Sequence, residues 1–266
     1  MTLGIQAATL NEYSDGRLML GLGIGNEVIA AWHGDTYDRP LRRLREYVEI
    51  VRAVYSGERV EYEGDFYSSA RGFKLAFEPP AHPLRIMLAA LGPQMTRLAG
   101  RISDGVVINM ADPGRVRQIV EACHEGARSA GRDPSGFEVA TKLRVALHED
   151  ADHAKRTLKK VLTFYALQTG YSQMLREMGF AEEVQRIGEA YEKDGFRAAR
   201  DQVSDELFAG VPMFAGSSLD GLAERLDAYR EAGVTRMIVA FVPTGDDLWG
   251  EIRHFLETAD FVGAAV

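Results

Sequence analysis

Apolar residues come in short continuous runs separated by longer stretches at helical spacing, and this alternation organises most of the chain. Arg85 to Ala90 is an apolar run long enough for a buried strand and too short for a helix. Leu91-Gly92-Pro93 breaks it, and Pro93 suits a first helical position because its missing N–H would be unpaired there anyway. Gln94 to Arg101 then places Met95, Leu98 and Ala99 on one face, and Asp104-Gly105 turns the chain into Val106-Val107-Ile108. The pattern predicts a complete βαβ unit. Helices are also predicted over Leu3 to Tyr13, Asp38 to Ser56, Pro113 to Ala130, Asp220 to Ala232 and Asp246 to Phe261. Strands are predicted over Phe137 to His148 and Arg236 to Val242, and a hairpin-like excursion over Val60 to Ala76. Residues 151–210 read as a long, mostly helical insertion. Strands alternating with helices imply an α/β fold with a parallel sheet and helices outside it.

Glycine marks two strand ends. Arg17 to Asn26 reads as a strand whose last residues, Gly21, Gly23 and Gly25, lack side chains. Glycine inside a strand weakens it and often marks close approach of a ligand or another backbone. Gly92 stands where the second strand meets its helix, and a helix N-terminus offers N–H groups to an anion. Most such turns bind nothing, so spacing alone favours a plain tight turn at Gly92-Pro93. The G-x-G-x-G pattern carries Val28 where a dinucleotide fingerprint needs a third glycine, so a Rossmann site is not indicated. Asn26 and Glu27 follow directly, either as groups facing a ligand or as the capping pair of a short helix.

Composition narrows the classes. The 266 residues suffice for one barrel-sized domain spanning 1–266. Lys and Arg number 31 against 39 Asp and Glu, a net charge of −8, which disfavours a nucleic-acid or anionic-membrane partner. No apolar run is long enough to span a bilayer and no signal peptide is visible. The single cysteine, Cys123, lies among Ile119, Val120 and Ala127 as a buried thiol and fits a reducing compartment, hence the cytoplasm. The six histidines show no H-x-H or H-E-x-x-H spacing, so no metal is expected. His148-Glu149-Asp150 with Asp152-His153 reads as a solvated loop before an acidic helix start. Glu27 and Asp104 lie near strand ends, where a paired-carboxylate chemistry would need them to face one cleft. In the insertion, Phe164, Tyr165, Tyr171, Met174, Leu175, Met178 and Phe180 form an aromatic and methionine stripe that suits core or dimer surface, or the wall of a substrate site.

Taken together, Ser14-Asp15-Gly16-Arg17-Leu18-Met19-Leu20-Gly21-Leu22-Gly23-Ile24-Gly25 and Ala89-Ala90-Leu91-Gly92-Pro93-Gln94-Met95 resemble the bacterial luciferase-like family, most of all its coenzyme F420-dependent branch. Leu98-Ala99-Gly100, Ser103-Asp104-Gly105-Val106, and Ala215-Gly216-Ser217 with Leu222, Leu226, Tyr229 and Ala232-Gly233-Val234 extend the likeness, in order, from about residue 5 to residue 260. The resemblance implies a (β/α)8 TIM-barrel fold, a homodimer, and hydride transfer between a deazaflavin and a small-molecule substrate. It implies that Ala89, Ala90, Leu91, Gly92, Pro93, Gln94 and Met95 cradle the cofactor phosphate, with Gly25, Asn26 and Glu27 beside its polar head. The family's bacterial luciferase carries an arginine near the Gly-rich strand end that helps hold FMN. Gly23-Ile24-Gly25 has no cation there, which favours F420 over the alternative, FMN with monooxygenase chemistry. Three strands ordinarily precede the Gly-rich one, whereas one helix-like segment does here, so the barrel is expected to be truncated at its N-terminus, with a late start, a shortened relative and a fragment all open. A non-catalytic barrel that binds a flavin-like ligand or a partner chain is the reading from another class.

Overall fold

The computed structural model describes residues 1–258, so the predicted end of the closing helix, 259–261, lies outside the described residues. In chain order the first elements are α1 (Thr2–Tyr13), β1 (Met19–Leu22), α2 (Glu27–Trp32), α3 (Pro40–Tyr55), β2 (Val60–Glu63), β3 (Ser68–Phe73), β4 (Arg85–Ala89), α4 (Pro93–Ile102), β5 (Gly105–Ile108) and α5 (Pro113–Ser129). Then follow β6 (Glu138–Leu147), α6 (Ala151–Ala166), α7 (Thr169–Leu175), a π-helical turn (Arg176–Phe180), α8 (Ala181–Asp201), α9 (Asp205–Gly210), β7 (Met213–Gly216), α10 (Leu222–Glu231), β8 (Arg236–Phe241) and α11 (Leu248–Thr258). Two units divide the chain, Met1–Val107 with Ile119–Glu138, and Ile108–Gln118 with Val139–Val266.

In the first unit β1 pairs in parallel with β4, Met19 opposite Arg85 and Leu22 opposite Leu88, and β4 pairs in parallel with β5. The predicted βαβ unit is present. The Gly-rich strand is shorter than predicted, because Gly23 to Gly25 leave the ladder and Gly25 turns the chain at a φ of 72°. Asn11, fully buried at the end of α1, aligns this edge. Its amide donates to Tyr55 Oη at 2.5 Å, while its oxygen accepts from the Leu18 N–H at 3.2 Å. Tyr55 in turn donates to the His82 carbonyl at 2.6 Å, tying α1 and α3 to the connector that enters β4.

Asp104 closes the other end of these strands. Its Oδ2 accepts from the Ile86 N–H at 2.9 Å and pairs with Arg52 at 2.7 Å, and its Oδ1 meets Arg132 at 3.2 Å. Arg132 also donates to the Gly100 carbonyl at 2.8 Å and the Ser103 carbonyl at 2.5 Å, where a cation suits a helix C-terminus. Asp104 therefore stands at the N-terminal end of β5, and Glu27 follows the C-terminal end of β1. The two carboxylates occupy opposite ends of a parallel sheet, so no paired-carboxylate cleft forms. Helices α4 and α5 cross on glycine: a Cβ at Gly100 would lie 1.8 Å from the Cys123 carbonyl oxygen, and one at Gly126 2.2 Å from the Arg97 carbonyl oxygen. Cys123 is fully buried and burial pushes its thiol up to about 12, which leaves it inert as a nucleophile.

The predicted hairpin excursion is the antiparallel pair β2–β3. Buried Glu46 of α3 holds its turn, accepting from the N–H groups of Asp65 and Phe66, each at 2.9 Å, and from Arg42 Nε at 2.7 Å. Burial pushes this carboxyl up, but the N–H groups of Phe66 and Asp65 and the Arg42 bond outweigh it and hold it below its ordinary range.

In the second unit β6 pairs in parallel with both β7 and β8. Leu143 and Val145 pack against Leu222, Leu226 and Phe255, which puts α10 and α11 on one face of these strands. The insertion is helical as expected. Strand β7, which the sequence reading did not include, follows Pro212 and runs for only 4 residues.

Two tests follow from these anchors. Asp104→Ala strands two arginines and a backbone N–H, and is expected to lower unfolding free energy by about 2 kcal/mol in urea titration. A Glu46 carboxyl lowered in the folded state stabilises fully above the unfolded-chain value of about 4.3, and its contribution is lost as pH falls through the lower folded value. Glu46→Gln should therefore lower stability at neutral pH and flatten its decline in acid, measured by urea midpoints from pH 7 to pH 3.

Candidate functional site

The parallel register of β1 and β4 brings the two glycine-marked strand ends side by side. A Cβ at Gly23 would sit 3.2 Å from the Ala89 side chain. Residues 25–27 and 89–95 thus leave adjacent strands at the same, C-terminal edge, which is where open parallel sheets bind ligands. Ala89 is exposed and Ala90 buried, with the Ala90 N–H donating to the Val107 carbonyl at 3.3 Å. Leu91 is half-buried, and Gly92 is the exposed N-cap of α4, without a side-chain cap bond. Pro93 is the first helical residue, as predicted. Thr96 N–H already bonds the Gly92 carbonyl at 3.0 Å, so the N–H groups of Gln94 and Met95 are the ones the helix geometry leaves without an intrahelical acceptor.

Glycine at Gly21 and Gly92 answers no internal demand. Neither has a positive φ, and a Cβ at either would meet nothing within 4 Å. The space that side chains would fill is open, as a cradle for a ligand backbone requires. Beside β1 lies a cleft of about 550 Å³, lined by Gly21, Gly23, Ile29, His33 and Tyr37 among others. Burial raises the Tyr37 phenol above its ordinary range, and the nearby Glu27 charge adds to the effect.

Asn26 and Glu27 open a short helix. Asn26 Oδ1 accepts from the Ile29 N–H at 3.0 Å, so this oxygen serves the cap, and Glu27 occupies the first turn, where a negative charge suits the helix dipole. The capping role and a place at the strand end coexist here.

The His148 to His153 stretch also resolves into local structure. Asp150 caps α6 by accepting from the Asp152 N–H at 2.9 Å, and the rings of His148 and His153 stack at 4.4 Å. Within the insertion Met174 and Leu175 are buried, whereas Tyr165 and Tyr171 gather around Arg144 of β6. Arg144 was not among the sequence candidates. Its signal was a charge standing between Leu143 and Val145, in the apolar second half of a strand whose other charges, Glu138 and Lys142, come earlier.

A model of the luciferase-like monooxygenases matches residues 1–236. A 5,10-methylenetetrahydromethanopterin reductase of Archaeoglobus fulgidus is 31% identical over 245 residues, covering 90% of this chain and 71% of the relative. An F420-dependent glucose-6-phosphate dehydrogenase of Nakamurella multipartita is 31% identical over 152 residues, which is 55% of this chain and 44% of that protein. Among solved structures, the coenzyme F420-dependent tetrahydromethanopterin reductase of Methanopyrus kandleri superposes with a TM-score of 0.79 at 25% identity, over 97% of this chain and 77% of its own. By name, two of these relatives are tetrahydromethanopterin-type reductases and the third is a glucose-6-phosphate dehydrogenase. In all described helices, none is long and apolar enough to cross a membrane.

The open flank of Gly21 provides a check that needs no ligand. Gly21→Val places a β-branched residue in a strand with room for it, and is expected to raise stability by about 0.5 kcal/mol in urea unfolding. A loss would mean that the space is filled in the folded protein.

Proposed function

The chain belongs to the luciferase-like monooxygenase family, and on that premise we propose that it is an F420-dependent oxidoreductase acting on a small organic substrate. One observation carries the cofactor assignment: Gly21 within β1 and Gly92 at the N-terminus of α4, beyond the neighbouring strand β4, each leave open space where no packing or backbone demand explains glycine. The residues present fit a phosphate-bearing group. Gly92, Gln94 and Met95 would hold the phosphate through N–H groups, with Pro93 preorganising the turn and Ala89, Ala90 and Leu91 beneath the adjoining chain. Gly25, Asn26 and Glu27 would flank the polar head, Asn26 by its backbone, since its side-chain oxygen is engaged at Ile29.

Bound, the cofactor supplies hydride chemistry at the deazaflavin C5. The chain's own task is to orient it and to screen it from water. The small, exposed side chain of Ala89 would let the cofactor lie close to β4, with Ala90 buried behind it. Tyr37 lines the cleft beside β1, and burial together with the nearby Glu27 charge keeps its phenol protonated, which would give a polar contact for a heterocycle edge. The reading takes residues 1–266 as one barrel domain with 151–210 as its helical insertion, working in the cytoplasm as a homodimer.

The test is equilibrium binding of F420 and of FMN to the same preparation. Selective F420 binding supports the assignment; FMN binding alone overturns it in favour of monooxygenase chemistry, and binding of neither by a folded chain overturns the cofactor reading. Gly92→Asp sharpens the result. Aspartate is a good N-cap, so stability should hold or rise, while its charge opposes a phosphate at the same N–H groups. F420 affinity is expected to fall by about tenfold, or 1.4 kcal/mol.

A further inference from the structure

Arg144 is a buried cation without an anion. It is 6% exposed, and no described carboxylate pairs with it. Leu143 and Val145 face the α10 and α11 layer, so strand alternation turns Arg144 to the opposite face of β6. Its guanidinium donates to Asn109 Oδ1 at 2.9 Å and to Tyr165 Oη at 2.8 Å, and lies 4.9 Å from the Tyr165 ring centre. Both partners are neutral. Arginine does not shed its proton, so burial leaves an uncompensated charge, a costly arrangement unless something else is gained.

The surroundings are rich in donors and poor in acceptors. Arginine only donates, so Asn109 must turn its oxygen to Arg144, and its amide N–H then reaches Tyr171 Oη at 2.9 Å. The phenol oxygens of Tyr165 and Tyr171 thus both accept a hydrogen bond, and among the described residues neither phenol proton meets an acceptor. The two rings meet edge to face at 4.6 Å. Burial raises the Tyr171 phenol above its ordinary range, so it keeps the proton it can donate.

The group is also held firmly. Asn109 precedes Met110, which is fully buried at a φ of 60°, a left-handed conformation that a non-glycine residue adopts at a cost. Thr141 Oγ1 donates to the Ile108 carbonyl at 3.1 Å just before it, and Tyr229 Oη to the Ala111 carbonyl at 3.1 Å just after. An amide pinned on both sides, a buried guanidinium and two phenol protons that meet no acceptor among the described residues converge on one point.

We infer that Arg144, Tyr165 and Tyr171 form an oxyanion-binding recess that holds a carboxylate or phosphate group of the organic substrate, with Asn109 as the positioning residue that sets the guanidinium. The planar guanidinium retains N–H donors beyond the two in use and matches either group in fork geometry. The aromatic edges suit a ligand whose anionic end is joined to an apolar or planar body. That the oxyanion is the substrate's rests on the oxidoreductase reading; that an oxyanion binds at all does not.

The experiment is calorimetric titration of the chain, without cofactor, with acetate, benzoate and methyl phosphate, and with benzamide as the neutral control. Wild-type protein should bind at least one of the anions tenfold better than benzamide. Arg144→Met should abolish that preference while the thermal midpoint holds or rises, since an apolar residue of similar length relieves a buried charge. Tyr171→Phe, which removes only the phenol hydroxyl, should weaken anion binding several-fold. Equal affinity for benzoate and benzamide in the wild type, or unchanged anion binding in both variants, overturns the proposal. With F420 present, Arg144→Met should leave cofactor affinity unchanged and raise KM for an anionic substrate at least tenfold, with a smaller change in kcat. A tenfold loss of F420 affinity instead would give the oxyanion to the cofactor tail and overturn the substrate assignment. Anion binding by a chain that binds no F420 would overturn the cofactor reading and leave the recess standing.

Discussion

The carboxylate of Asp104 is the constraint on which the first unit depends. It receives the N–H of Ile86, the second residue of β4, and cations from α3 and from the segment after α5, while its backbone N–H donates to the Ile86 carbonyl at 2.8 Å and its own carbonyl accepts from Glu138 N–H at 3.0 Å. One residue thus sets where β4 and β5 begin relative to each other and to the chain entering β6. A parallel ladder propagates that starting register along its length, so the height at which β4 ends and α4 begins is determined at the far end of the strand. The proposed phosphate seat inherits its position from a carboxylate at the opposite end of the strand.

The βαβ unit was legible because each local signal agreed with the next: an apolar run, a Gly-Pro break, helical spacing and an Asp-Gly turn. The Gly-rich strand was overextended in the sequence reading, since its composition announces both a strand and the reason that strand stops. Strand β7 escaped because 4 residues after a proline carry too little periodicity to register. Asp104 reads in the sequence only as a carboxylate near a strand end. Which end it occupies is a property of strand direction, and a lone position in sequence does not encode that.

Arg144 marks a different limit. The residues gathered around it, Asn109, Tyr165 and Tyr171, come from a strand end and two helices of the insertion, far from it in sequence. No spacing rule links such residues; only the fold gathers them. The aromatic stripe of the insertion was visible, and it divides between core, where Met174 and Leu175 lie buried, and a wall around the arginine. The two roles share one periodicity because the same helical faces serve both. Asn26 gives the converse lesson, because a capping residue and a strand-end residue are the same atoms seen from two sides.

The crossing of α4 and α5 on Gly100 and Gly126 has its own bearing on how such a protein changes over time. Carbonyl oxygens of each helix stand where the other's first side-chain carbon would be, so the interaxial distance has no slack in the direction of closer packing or of added bulk. The solvent-facing surface of α4 is free to drift, whereas the axis of that helix is not. Selection on ligand preference is therefore channelled away from tilting the helix and toward exchanging side chains at strand ends and in the insertion. A scaffold of this kind keeps the geometry of one helix N-terminus nearly invariant while the surface around it diversifies.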